Sequence, residues 1–176
     1  MREYKTQTKE IIITTTFSTP IGEMFAAASK KGLVLLYFFT PYDIEANIDK
    51  LKKTLNADVI PGNSEIFDAL KTQLNEYFNK KRTTFEIPLQ LVGTAFQIKV
   101  WKELLNIPYG KTISYKEQAI KIENEKAFRA VANANGQNMI SIIVPCHRVI
   151  ANNGNLGGYT GGLEKKEFLL KLENDK

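Results

Sequence analysis

Val144-Pro145-Cys146-His147-Arg148-Val149 sets the only cysteine of this 176-residue chain beside its only histidine. Cysteine is the strongest sulfur nucleophile a protein has, and histidine is the side chain able to take its proton near pH 7. A lone cysteine is otherwise a small buried hydrophobe, so the flanking residues decide between the two readings. Upstream, Ser141-Ile142-Ile143-Val144 reads as a strand leading into Pro145, which fixes the backbone before the cysteine. That places Cys146 buried at a strand end, where apolar surroundings raise a thiol pKa and an active thiolate needs help. Neighbouring strand residues face opposite ways, so direct contact between Cys146 and His147 is not guaranteed, and a bridging water is the alternative. Downstream, the loop 151–162 holds five of the chain's eleven glycines around Tyr159 and Thr160. Glycines there let backbone approach a flat ligand. A last helix, 163–173, packs Leu169 and Leu172 inward and returns Glu173 towards the cysteine.

The preceding segment is helical. Thr94 caps a helix whose stripe is Phe96, Val100 and Leu104 with Trp101 and Leu105. Pro108-Tyr109-Gly110-Lys111 is a turn, and Ser114-Tyr115-Lys116-Glu117 fits a capping box. A short helix to Lys121, a turn at Ile122-Glu123-Asn124 and a second helix from Glu125 to Asn135, stopped by Gly136, have helix-turn-helix dimensions. Helical spacing turns Phe128, Val131, Ala132 and Asn135 one way, and Lys126, Arg129 and Asn133 the other. Solvated charge on an amphipathic helix would look the same, so the pattern alone does not establish DNA binding.

The first half reads as a small α/β unit. Strands are expected at 11–17, 23–29 and 33–39, the last buried on both faces. Asp43 is the expected cap of a helix carrying Ile44, Ile48, Leu51 and Leu55, and a second helix starts near Ser64. Nothing in residues 1–85 groups catalytic side chains, and the segment reads as scaffold. A linker at 88–93 divides the chain into units 1–88 and 89–176. The composition is that of a globular protein, 43% apolar and 24% charged. One cysteine excludes an internal disulfide, and one cysteine with one histidine excludes a Cys/His zinc site. No metal or other cofactor is expected. The polar N-terminus lacks a basic-then-apolar leader, and the longest apolar run is too short to cross a bilayer. The expected setting is reducing and cytoplasmic. The net charge of +5 is concentrated after residue 90, which directs a search for a polyanion partner to the second half.

With these segments in order, the chain resembles the O6-alkylguanine-DNA alkyltransferases (methylated-DNA–protein-cysteine methyltransferases). The resemblance rests on Pro145-Cys146-His147-Arg148-Val149 and Gly158-Tyr159-Thr160-Gly161-Gly162-Leu163. It extends through Gly93-Thr94-Ala95-Phe96-Gln97, Val100-Trp101, Ile107-Pro108-Tyr109-Gly110, Ser114-Tyr115 and Arg129-Ala130-Val131. It implies a ribonuclease-H-like α/β unit, a three-stranded sheet with helices, followed by a mostly α, winged-helix-like unit with the helix-turn-helix. The implied reaction moves an alkyl group from O6 of guanine, or O4 of thymine, in duplex DNA onto Cys146, once per molecule.

The implied roles follow residue by residue. His147 takes the thiol proton through a water, Glu173 orients the imidazole, Asn138 arranges the cysteine loop, and Tyr115 donates towards N3 of the departing guanine. Arg129 enters the stack vacated by the flipped base. Ser114, Lys116, Asn124 and Lys126 hold phosphates of the minor groove. Val149, Tyr159, Thr160 and Ser141 line the base pocket, and a monomer acts per lesion. Ser141 replaces a frequent proline, Glu125 another, and Phe128 a frequent alanine, which implies a reshaped alkyl pocket and local repacking. Two other readings compete: a lesion-recognition module with a poorly activated cysteine, and a cysteine hydrolase using Cys146 and His147.

Overall fold

The computed structural model describes residues 8–175; most of the polar N-terminal stretch, residues 1–7, lies outside them. Strand β1 (Glu10–Thr19) alternates, with Ile12 and Thr14 buried and Ile11 exposed, the signature of a sheet covered on one face. It turns at Pro20 into β2 (Gly22–Ser29), which turns at Lys30 into β3 (Gly32–Phe38), both pairings antiparallel. Every residue of β3 is buried. Helix α1 (Pro41–Leu55) crosses to β4 (Ala57–Pro61), which pairs parallel with β1, so the sheet order is β3-β2-β1-β4.

The sheet therefore has four strands where the sequence suggests three. Five residues starting Ala57-Asp58 carry too little β signal to be read, and the pairing with β1 makes them a strand. Thr40, not Asp43, stands at the N-cap of α1, and its hydroxyl donates to the Asp43 carboxylate at 2.5 Å. Helix α2 (Glu65–Phe78) starts at Ser64, whose hydroxyl accepts from the Ile66 amide, and it buries Phe67, Leu70, Leu74 and Tyr77.

The free edge of β3 positions the second half. Leu33 N–H donates to Pro88 and Gln90 N–H donates back to Leu33, at 2.8 and 2.9 Å. The expected linker is thus pinned to the sheet. Gly32 makes this possible: its φ is +154°, and a Cβ there would lie 2.5 Å from the Pro88 carbonyl oxygen. Further along, Leu36 N–H donates to Met139 and Ser141 N–H donates to Leu36, at 2.9 and 2.8 Å. The cysteine loop thereby extends the sheet by two hydrogen bonds, and an exposed edge is covered.

Beyond the pinned segment, α3 (Ala95–Leu104) opens with a Thr94–Gln97 capping box and buries Val100, Trp101 and Leu104. Helix α4 (Tyr115–Lys121) opens with the expected Ser114–Glu117 box. Its partner α5 (Phe128–Gly136) is preceded by a 3₁₀ turn, Glu125–Ala127, where one continuous helix was expected. Gln118 and Asn135 exchange buried side-chain amide hydrogen bonds of 3.2 and 2.7 Å between α4 and α5, and Trp101 Nε1–H donates to Ala134 O at 2.8 Å. Buried amides satisfied in this way fix the helix pair on α3. Phe128 breaks the expected inward stripe. It is 40% exposed on the first turn of α5, and Val131, Ala134 and Asn135 form the inner face instead.

The cysteine segment also departs from expectation. Residues 141–144 form a turn, with Ile142 at φ +70°, a left-handed conformation that costs a β-branched residue energy and occurs at functional sites. Cys146–Arg148 is a 3₁₀ turn, followed by β6 (Val149–Ile150) paired in parallel with β5 (Ile113–Ser114). Helix α6 (Leu163–Asn174) closes the chain with Leu169, Leu172 and Glu173 buried, as expected.

Candidate active site

Cys146 is 7% exposed and His147 fully buried. In a 3₁₀ turn successive side chains lie about 120° apart, so they are not on opposite faces as a strand would put them. Asn138 holds the loop around the thiol: its Nδ2 is 2.8 Å from Val144 O and 3.3 Å from Cys146 Sγ, and its Oδ1 accepts from the Ile140 amide at 3.0 Å. Burial pushes the Cys146 thiol up, and the hydrogen bond from Asn138 and the charge of Lys166 act against it.

His147 Nε2–H donates to Glu173 Oε1 at 2.7 Å. The carboxylate fixes the tautomer, leaving the lone pair on Nδ1, which is buried without a partner among the described residues. Burial pulls the imidazole pKa down further than Glu173 raises it, so the ring is neutral and able to accept a proton near neutrality. Burial alone would raise the Glu173 carboxyl, but His147 and Arg148 outweigh it and hold it at about 2. Arg148 grips that carboxylate through Nε and Nη2, both at 2.9 Å, and Gly110 N–H donates to it at 3.3 Å.

The first half is more than scaffold here. Tyr77 of α2, fully buried, donates its hydroxyl to Glu173 Oε1 at 2.7 Å. Arg148, Tyr77 and Lys166 escaped the sequence reading. Arg148 lies inside the quoted motif, and Lys166 occupies a core position three residues before Leu169, a charge where an apolar residue belongs. Tyr77 sends no local signal. Lys166 Nζ donates to Val149 O at 2.6 Å and to Gly158 O at 3.1 Å, and burial lowers its ammonium to about 8.

A cavity of about 320 Å³ opens beside the cysteine, lined by Tyr115, Ala132, Asn135, Gly136, Cys146, Gly158, Tyr159 and Thr160. Its size is that of a small-ligand site. Thr160 Oγ1–H donates to Gly136 O at 2.8 Å and ties the glycine loop to the end of α5. Gly157, at φ +70°, would bring a Cβ within 2.8 Å of the Tyr115 oxygen. Tyr115, Tyr159 and Thr160 thus share one cavity with Cys146. Ser141 and Val149 do not line this cavity. Ser141 faces a separate cleft with Phe38 and Lys165, because its amide is tied to Leu36, and the Val149 carbonyl is engaged by Lys166.

Of the expected DNA contacts, Asn124, Lys126 and Arg129 are exposed on the helix pair, Ser114 caps α4, and Lys116 lies 3.8 Å from Glu125. Fold and site together define a class: a buried cysteine with a histidine–carboxylate relay, reached through a pocket whose wall is a helix-turn-helix. Residues 95–175 match the family described as "6-O-methylguanine DNA methyltransferase, DNA binding domain", and residues 12–91 match its "ribonuclease-like domain". The chain belongs to the methylated-DNA–protein-cysteine methyltransferase family. It is 45% identical over 157 residues to the member from Methanosarcina barkeri, covering 89% of this chain and 94% of that one. It is 41% identical over 160 residues to the constitutive member from Bacillus subtilis, covering 90% and 93%. Among solved structures, Mycobacterium tuberculosis O6-methylguanine methyltransferase matches with TM-score 0.76 and 41% identity over 93% of each chain. The structure of Mycobacterium tuberculosis OGT in complex with DNA matches at 0.77, with 41% identity over 93% of this chain and 92% of that one.

Proposed function

We propose that this protein repairs duplex DNA by moving a methyl or other alkyl group from O6 of guanine, and from O4 of thymine, onto Cys146. The observation that carries the proposal is the cavity with Cys146 in its wall and α5 at its edge. A base inside a duplex cannot reach a buried thiol, so the lesion is flipped out of the stack, with the helix pair in the minor groove. His147 Nδ1 takes the thiol proton through a water. Sγ then attacks the alkyl carbon; the S–C bond forms as the C–O bond breaks, and the electron pair leaves with the base. Tyr115 protonates N3 of the departing guanine, a role suited to a phenol because charge builds there only in the transition state. Glu173 orients the imidazole and Asn138 the cysteine loop, while Tyr159 and Thr160 line the base pocket.

Arg129 fills the vacated stack, and Ser114, Lys116, Asn124 and Lys126 hold the backbone without reading sequence. Lys116 exchanges its Glu125 contact for phosphate. The thioether does not hydrolyse, so each monomer acts once. Residues 1–88 and 89–176 serve as positioning and reacting units, and the protein works in the cytoplasm.

The test is intact mass and peptide mapping after mixing the protein with a duplex carrying one O6-methylguanine. One added methyl, on Cys146 and at one equivalent, is the expected result, and Cys146→Ala should bind the duplex without gaining mass. Unchanged mass with DNA bound would favour lesion recognition without chemistry, and turnover of esters would favour a hydrolase.

A further inference from the structure

Phe128 is the one exposed aromatic residue of α4 and α5 among the described residues. It opens α5, and the Arg129 guanidinium carbon lies 5.7 Å from the centre of its ring. That spacing is a cation–π contact, so the two side chains lie together although helical spacing suggested that they part. Ala132, which lines the cysteine cavity, follows Phe128 by four residues and Arg129 by three. Residues at both spacings share a helix face, and helical side chains lean towards the N-terminus. Phe128 and Arg129 therefore stand together one turn from the pocket wall, with exposed Lys126 beside them and Asn133 a turn further on. The phenylalanine contributes little to the core, since α5 buries Val131, Ala134 and Asn135 instead.

We propose that Phe128 is a second DNA-inserting residue. Its ring stacks on the base that flanks the flipped nucleotide while Arg129 occupies the vacated position. The inference rests on the base-flipping reading above. Apolar wedges inserted from the minor groove unstack neighbouring bases and kink the duplex, and an arginine held beside the wedge is placed to enter the gap next to it. The partner this surface fits is the face of a base, of any identity, because stacking on an aromatic ring tolerates sequence.

The experiment compares alkylation rates of wild type, Phe128→Ala, Phe128→Trp and Arg129→Ala on two substrates: a duplex containing one O6-methylguanine, and free O6-benzylguanine. A second duplex carries 2-aminopurine next to the lesion and reports stacking by fluorescence. Phe128→Ala should slow duplex repair about tenfold, the usual loss for one aromatic–base stack, and leave the free-base rate unchanged. It should also leave 2-aminopurine brighter in the complex, and Phe128→Trp should restore both rate and quenching. Equal slowing on both substrates, or no slowing on either, would overturn the proposal, as would unchanged 2-aminopurine emission. Wild type that fails to alkylate Cys146 at all would instead refute the repair reading. Arg129→Ala losing equally on both substrates would refute extrusion, which removes the basis for this inference as well.

Discussion

Replacing Tyr77 by Phe removes one oxygen and nothing else from the centre of the molecule. The ring keeps its edge contacts with Phe78 at 5.4 Å and Tyr109 at 6.0 Å, and its tilted contact with Phe85 at 5.3 Å. What disappears is the 2.7 Å hydrogen bond to Glu173 Oε1. Hydrogen bonds to a charged group contribute about 1.5–3 kcal/mol. Here Glu173 keeps His147, Arg148 and Gly110 as donors and phenylalanine leaves no orphan group, so the cost falls to about 1–2 kcal/mol. For a protein of this size that is a fall in Tm of about 3–6 °C. The chemistry responds as well. A carboxylate with one donor fewer is more basic, holds the imidazolium better and raises the His147 pKa. The acid limb of the alkylation rate should therefore move to higher pH, because His147 accepts the thiol proton only when neutral. Differential scanning calorimetry and single-turnover rates from pH 5 to 9 measure both effects. An unchanged Tm together with an unchanged acid limb would refute the view that the first half tunes the relay.

Glu173→Gln should cost about 3–5 kcal/mol, because it strands the Arg148 guanidinium as a buried unpaired charge; urea unfolding should show a partial recovery in Glu173→Gln/Arg148→Met. In the wild type, Glu173 lowered to about 2 stabilises the fold above the ordinary carboxylate pKa of about 4.3. That contribution should fade as pH falls from there towards 2, visible in acid unfolding followed by circular dichroism. Gly157→Ala should displace Tyr115, given the 2.8 Å approach, and slow transfer to free O6-benzylguanine and to duplex alike. Equal rates in that variant would show that the loop gives way instead. Arg129→Ala should slow duplex repair far more than reaction with the free base, measured as a ratio of rates.

Much of this protein was legible where the signals are short in sequence. The Ser114–Glu117 box fixed one helix start because its partners lie three residues apart, and Thr94 marked another as its cap. The apolar spacing of α2 and α6 fixed their inner faces, and the motif around Cys146 singled out the proposed nucleophile. The failures share the opposite cause. β4 exists because β1 pairs with it, and residues 141–144 curl because the Leu36 backbone captures Ser141. Phe128 is exposed because the packed face of α5 is formed by Val131, Ala134 and Asn135 instead, a choice its neighbours make. The sequence alone determined which side chains could carry the chemistry: one thiol, one imidazole, and a carboxylate on the last helix. Only the tertiary structure decided that Tyr77 and Arg148 share that carboxylate, across 96 and 25 residues. Burial is the physical reason: a charge removed from water must gather its donors from wherever the fold brings them, and no local pattern records that need.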